Sequence, residues 1–196
     1  MKRKTLFWKL YPSFLIISFI SLVAIVMIAL WSFKSFHYEE RALDLEIRTK
    51  ILSPEFSRLI QANDYSTIQQ QSKKLGDQAS TRITIVLPSG KVVGDSKKAP
   101  LTMDNHNERP ELKQAILEGK GLSIRYGHTL QIDSMYFAMP IIVQDKIIGM
   151  IRTSTPLDTL QKTLWSIYYK ISLGFIILII IAALVSWWMS KSLVRP

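Results

Sequence analysis

The 196-residue chain carries 25 Lys and Arg against 15 Asp and Glu, has no cysteine, and is 48% hydrophobic, an average that fits one ordinary domain. The missing cysteine excludes disulfide frameworks, thiolate metal sites and cysteine nucleophiles. The average conceals two charge-free stretches, residues 10–33 and 171–190, of 24 and 20 residues. Each is long enough at helical rise to cross a bilayer core of about 30 Å.

The chain opens on a basic head, residues 1–9, with Lys2, Arg3, Lys4 and Lys9. Residues 10–33 are expected to form a first transmembrane helix. Their apolar run exceeds that of a signal peptide, and no small-x-small cleavage site precedes Lys34. All 15 acidic residues fall in the segment 34–170, whose net charge is +4, while the two ends supply the remaining +6. The basic balance is thus a topology signal and not a nucleic-acid one. Positive-inside logic, with Lys191 and Arg195 after the second stretch, puts both ends in the cytoplasm and the centre outside. Trp8, Tyr11 and Trp31 bracket the first span as Tyr168, Tyr169, Trp187 and Trp188 bracket the second, as amphipathic rings at the headgroup level do.

In the outer segment Leu43, Ile47 and Ile51 recur every four residues from 36 to 60. This predicts a helix continuing out of the membrane, ended or kinked by Pro54. Its stripe is suited either to the sheet or to a second subunit. A polar helix is expected over 64–75, stopped by Gly76-Asp77. Five β-type runs follow, at 82–87, 91–95, 122–129, 135–143 and 146–154. Pro88-Ser89-Gly90 and Gln144-Asp145-Lys146 are connections too short for parallel crossovers, so the sheet is expected to be antiparallel. Between the second and third runs, Pro110 and Gly119 delimit a helix whose Leu112, Ala115 and Ile116 would cover the sheet.

After the last run, Thr155-Pro156-Leu157-Asp158 supplies a capping hydroxyl, a first-turn proline and a carboxylate, which predicts a helix start. From Leu157 to Leu193 there is no proline and only Gly174, so the final strand is expected to feed a helix that becomes the second span, 171–190. Thr155, Pro156, Leu157 and Asp158 are therefore the expected relay. Ser18, Ser21 and Ala24 in the first span, with Gly174, Ala182, Ala183 and Ser186 in the second, permit close helix contacts within one chain or between two.

This order resembles the extracytoplasmic PAS-like or single-Cache sensor of bacterial two-component histidine kinases, of the phosphate-regulon type. The residues that carry the resemblance are Gly90-Lys91-Val92-Val93-Gly94-Asp95-Ser96, Asn105-His106-Asn107-Glu108-Arg109-Pro110-Glu111-Leu112, Gly121 with Arg125, Tyr136-Phe137-Ala138-Met139-Pro140 and Ile148-Gly149-Met150-Ile151-Arg152. They lie within residues 90–152, about a third of the chain. Residues 191–196, ending in Ser192-Leu193-Val194-Arg195-Pro196, resemble the start of a HAMP linker. The resemblance implies an α+β protein of the bacterial plasma (inner) membrane: a five-stranded antiparallel sheet with a long N-terminal helix between two transmembrane helices, working as a homodimer. It implies signal sensing on behalf of a kinase, with ATP and Mg needed only by a catalytic core that these residues do not contain, and a response regulator reached only through that core. His37-Tyr38-Glu39-Glu40-Arg41 superficially resembles a phosphoacceptor motif, but it falls outside the membrane, away from ATP.

Arg109, Arg125 and Arg152, with Tyr126, His128 and Tyr136, bring guanidinium forks and ring donors to the sheet, as an extracytoplasmic carboxylate or phosphate would require. The plainer reading pairs the arginines with Asp95, Glu111 or Asp133. Asp104, His106 and Glu108 alternate as metal ligands do, yet they flank a helix start where capping explains them, and no metal is expected. Asp95-Ser96 suits an Asx-type turn. Met103, Met135, Met139 and Met150 suit the core. No nucleophile, base and orienting group come together, so an enzyme in the outer segment is a poor reading. The alternatives left are the same sensor on a chemoreceptor or cyclic-dinucleotide enzyme, and a non-signalling envelope protein that docks a partner.

Overall fold

The computed structural model describes residues 3–127, 132–157, 165–181 and 184, with side-chain detail beginning at Ile16. The first helix, α1 (Arg3–Gln61), is one unbroken run of 59 residues, about 90 Å long at helical rise. From Ile16 to Phe33 its large apolar side chains stand exposed around the helix. A last helix, α4 (Trp165–Ile181), is likewise apolar and exposed. Phe175 on α4 meets Phe19 on α1 edge to face, with ring centroids 6.0 Å apart. The remainder of the expected second span lies outside the described residues, apart from Leu184.

The C-terminal half of α1 lies on the sheet through Leu45, Thr49, Leu52 and Phe56, which share one helical face. Leu43, Ile47 and Ile51 point the other way and are 58%, 48% and 72% exposed, so that stripe does not cover the sheet. Pro54 does not end the helix, the first of its two expected effects. The turn beyond it carries Phe56, Leu59 and Ile60 into the core. Burying three such side chains, at about 1.5–3 kcal/mol each, offsets the hydrogen bond that proline forfeits.

Helix α2 (Tyr65–Gln78) starts on Asp64, whose carboxylate accepts from the Thr67 amide at 3.0 Å. Gly76 does not stop it. That glycine is buried inside the last turn, where a Cβ would lie 2.4 Å from the Ser96 Cβ, so it permits close packing and α2 runs on to Gln78.

The strands β1 (Arg82–Val86), β2 (Val92–Asp95), β3 (Gly121–Gly127), β4 (Ile132–Val143) and β5 (Lys146–Pro156) form one antiparallel sheet in the order β2-β1-β5-β4-β3. The β4–β5 hairpin turns on Gln144 and Asp145, both at positive φ (48° and 60°), as a two-residue primed turn requires. Thr155 and Pro156 do not open a helix: they remain in β5, paired with Met135 and Ser134. Proline is tolerated there because it is the strand's last residue. The Leu157 amide then donates to the Asp133 carbonyl at 2.9 Å, holding the chain to β4 one residue further. Asp158 lies outside the described residues.

Alternation along the strands separates two faces. Ile83, Ile85, Val93, Ile141 and Ile151 pack with Phe56, Leu59, Ile60 and Ile68 beneath α1 and α2. Met135, Phe137 and Leu157 close around Leu45 on the same side. On the opposite face, Val86, Val92, Ala138 and Met150 pack with Leu112 and Ala115 of helix α3 (Pro110–Glu118). Pro110 stands in the first turn of α3 and Gly119 caps its end at φ 78°, as the sequence predicts, but Ile116 is 43% exposed and does not reach the sheet.

Candidate functional site

The α3 face of the sheet is apolar only in part. Beyond the Leu112 and Met150 cluster, residues 82 and 84 of β1, 152 of β5, 136 of β4 and 125 of β3 turn to the same side, because Thr84 pairs with Arg152, Ser154 with Tyr136 and Tyr136 with Ser123. This places three arginines around one tyrosine. The guanidinium carbons of Arg125 and Arg152 lie 4.1 and 5.2 Å from the Tyr136 ring centroid, within cation–π range.

Two carboxylates hold these cations. Glu111, in the first turn of α3 and fully buried, accepts from Arg125 Nη2 at 2.9 Å and from Arg152 Nη1 at 3.1 Å. Asp95, also fully buried, accepts from Arg82 Nε at 3.1 and 3.2 Å and from the Thr84 hydroxyl at 2.8 Å. Its Oδ1 also accepts from the amides of Lys97 and Lys98, which is the expected Asx-type turn. Thr84 Oγ1 in turn accepts from Arg152 Nη2 at 3.1 Å. One buried chain of polar contacts therefore runs Glu111–Arg152–Thr84–Asp95–Arg82, joining α3, β5, β1 and β2.

Above this floor lies a cavity of about 170 Å³ lined by Arg82, Lys98, Met103, Asp104, His106, Arg109, Arg125, Tyr136 and Arg152. Lys98 and Asp104 are exposed at its rim, Arg109 is half-buried, and Arg82 and Arg152 are buried. The loop before α3 forms the roof: the His106 amide donates to the Gly90 carbonyl at 2.9 Å, and its Nδ1 meets the Asp104 carbonyl at 2.8 Å. Gly90 is at φ 81°, and a Cβ there would lie 2.0 Å from the Asn105 side chain, so this contact needs glycine twice over.

Burial, reinforced by the charge of Arg152, pulls His106 down to about 4. The ring is therefore neutral at pH 7, with its proton on Nδ1 toward the Asp104 carbonyl. Burial pushes the Glu111 carboxyl up, but the hydrogen bond from Arg125 and the charge of Arg152 together more than reverse this and leave it below its ordinary value. Glu111 is an anion at neutral pH.

Four of the expected ligand residues, Arg109, Arg125, Tyr136 and Arg152, line this one cavity. Tyr126 does not: it alternates onto the other face of the edge strand β3, beside Leu122 and Ile124, and is 51% exposed. His128 lies outside the described residues. Arg125 and Arg152 do pair with Glu111, so the ion-pair and cavity readings hold for the same side chains. Asp104, His106 and Glu108 do not gather: among the described residues no three His, Asp or Glu side chains come together, and Glu108 pairs with Lys113. Met135 and Met150 are buried and Met139 and Met103 pack, partly buried, against the core, as expected, Met103 also lining the cavity. The sequence reading missed Arg82, Thr84 and Lys98, whose only advance signal is the alternation of Arg82 and Thr84 with Ile83 and Ile85.

No protein-family model and no curated protein matches the chain. Among solved structures it is similar to the sensor domain of the V. cholerae histidine kinase DctB, at 15% identity and a TM-score of 0.53, over 68% of this chain and 54% of that one. It is similar to the sensor domain of E. coli DcuS at 14% identity and a TM-score of 0.53, over 63% of this chain and 94% of that one. A third likeness, with 15% identity, a TM-score of 0.54 and coverage of 68% of this chain and 57% of the other, is to the ligand-binding domain of the C. jejuni chemoreceptor Tlp3 in complex with 4-methylisoleucine. The match thus spans about half the length of the solved DctB and Tlp3 domains and nearly all of the solved DcuS sensor domain. At these identities the likeness is one of fold: the domain shares the architecture of these sensor domains.

Proposed function

We propose that the chain is the membrane-anchored input module of a signalling protein, in which the cavity binds an extracytoplasmic ligand and β5 carries the consequence to the membrane helices. The observation that supports this best is the double role of β5. Arg152 stands in the cavity wall. Its neighbour Thr153 faces the other way and hydrogen-bonds Thr49 of α1 at 2.8 Å, and Leu157 at the strand's end is buried against Leu45 of α1. A ligand that favours one setting of β5 thereby favours one setting of α1, to the extent of its differential affinity.

The exposed apolar lengths of α1 and α4 suit lipid better than water. The Leu43, Ile47 and Ile51 stripe, turned away from the sheet and flanked by charges, suits a second copy of the chain. A histidine kinase of the phosphate-regulon type is the output that the sequence resemblance favours, working on a response regulator through a core beyond these residues. A chemoreceptor, supported by the likeness in fold to Tlp3, or a cyclic-dinucleotide enzyme is the runner-up.

The native absence of cysteine makes the test clean. In intact cells a membrane-impermeant maleimide should label Lys97→Cys at once and Lys191→Cys only after lysis, and Ile47→Cys should form disulfide dimers in isolated membranes. With a histidine-kinase core fused after Pro196, Arg152→Met should change autophosphorylation, and prolines in place of Leu164 and Trp165 should erase that difference. Reversed labelling overturns the topology, and a fused kinase indifferent to Arg152→Met overturns the relay.

A further inference from the structure

The cavity has an uncompensated charge, and that charge specifies a ligand class. Five cations line it: Arg82, Lys98, Arg109, Arg125 and Arg152. Three carboxylates answer them: Asp95 on Arg82, Glu111 on Arg125 and Arg152, and Asp104 at the rim. His106 is neutral at pH 7, because burial lowers it to about 4. The wall is therefore left with two positive charges. Lys98 and Arg109 have no ion pair among the described residues.

The donors are uncompensated as well. Arg82 Nη2 and Arg152 Nε are buried without a hydrogen-bond partner among the described residues, although their side chains are only 5% and 3% exposed. Buried guanidinium nitrogens left unpaired are costly, and two of them on one cavity wall indicate that an acceptor belongs there. Glu111 cannot supply it, since both of its oxygens already accept from Arg125 and one of them from Arg152. Asp95 is already engaged by Arg82 Nε, Thr84 and two amides. A cavity of about 170 Å³ is also well below the roughly 300–1,000 Å³ of sites for drug-sized ligands.

We infer that the cavity binds a small, doubly charged oxyanion, seated on Arg82 and Arg152 at the floor and closed over by Arg109 and Lys98 at the rim. Monovalent acids leave one charge unanswered, and zwitterionic amino acids present an ammonium to a wall of guanidinium groups. Either a tetrahedral oxyanion or a short dicarboxylate has the required charge.

This inference rests on the cavity being the ligand site, and binding is measured apart from signalling so that the two can fail separately. The full chain in lipid nanodiscs is titrated calorimetrically at pH 7 and constant ionic strength with sulfate, hydrogen phosphate and succinate, and with acetate and glycine as controls. At least one dianion should bind one to one and about tenfold or more tighter than either control. Lys98→Met with Arg109→Met should weaken it by about tenfold without lowering the melting temperature of the ligand-free chain, since neither residue belongs to the buried chain of contacts. The tighter of sulfate or phosphate and succinate then separates tetrahedral from extended ligands. No dianion binding, acetate or glycine binding as tightly, or affinity unchanged in the double variant would overturn the inference. If Arg152→Met alters the fused kinase while no dianion binds, the sensing role stands and the ligand class falls. If a dianion binds without altering the kinase, the ligand class stands and the sensing role falls.

Discussion

Ile83, Ile85 and Ile151 on one face of the sheet alternate with Arg82, Thr84 and Arg152 on the other, so the same two strands, β1 and β5, build two different interiors. The face under α1 and α2 is closed by aliphatic and aromatic packing that needs no specific partner beyond volume. The face under α3 is closed by a buried polar chain in which removing one member strands another, and it leaves guanidinium nitrogens unpaired beside a cavity. The first face is held chiefly by packing and the second by paired charges, and the proposed recognition uses the second, with the strands between them common to both.

Breaking this contrast should cost most at Glu111. Glu111→Ala leaves Arg152 buried without its carboxylate and should destabilise the chain by about 3–5 kcal/mol, measured by chemical denaturation of the full chain in nanodiscs. Glu111→Leu combined with Arg152→Met should recover most of that loss while abolishing anion binding, because an apolar pair can replace a buried ion pair. A double variant no more stable than Glu111→Ala alone would show that the network is not the cause.

Gly121→Ala should rank next, at about 1–3 kcal/mol in the same measurement. Its Cβ would lie 2.0 Å from the Glu111 carbonyl, so α3 must move off β3 and carry Glu111 with it.

The pH dependence sharpens the contrast. Between pH 6.5 and about 4 the unfolded chain takes a proton on His106 that the folded chain resists, so stability should fall as pH drops through that window. Below about pH 4.5 protonation of Glu111, whose carboxyl is depressed in the fold, should add to the loss. His106→Gln should flatten a plot of melting temperature against pH in the upper window only. The smallest effect belongs to a buried hydroxyl pair on the apolar side: Thr49→Val removes the bond to Thr153 and should cost about 1 kcal/mol by chemical denaturation.

Much of this architecture was legible in the sequence because it rests on local signals. Five strands follow from alternation, α3 from Pro110 and Gly119, and the Asp95 turn from side-chain chemistry. The departures occur where long-range contacts override local ones. Pro54 stays helical because Phe56 beyond it reaches the core, and Thr155-Pro156 stays extended because β4 supplies a ladder partner. The stripe of Leu43, Ile47 and Ile51 is the more apolar one, yet the face with a threonine at its centre, Leu45-Thr49-Leu52-Phe56, meets the sheet, since Thr49 has a buried partner in Thr153. Arg82 escaped notice because an arginine opening a strand has the pattern of a solvent-facing residue until Asp95 and the loop between β2 and α3 enclose it. Buried Glu111 likewise has the pattern of an ordinary first-turn acid.

Amide hydrogen exchange of the full chain in nanodiscs, native against Arg152→Met, tests the continuity of β5 most directly. If cavity and α1 are joined by that strand, exchange should quicken at the Leu157 amide and through α1 around Thr49, as well as in α3. Faster exchange confined to α3, β1 and β2, with Leu157 and α1 unchanged, would contradict the account.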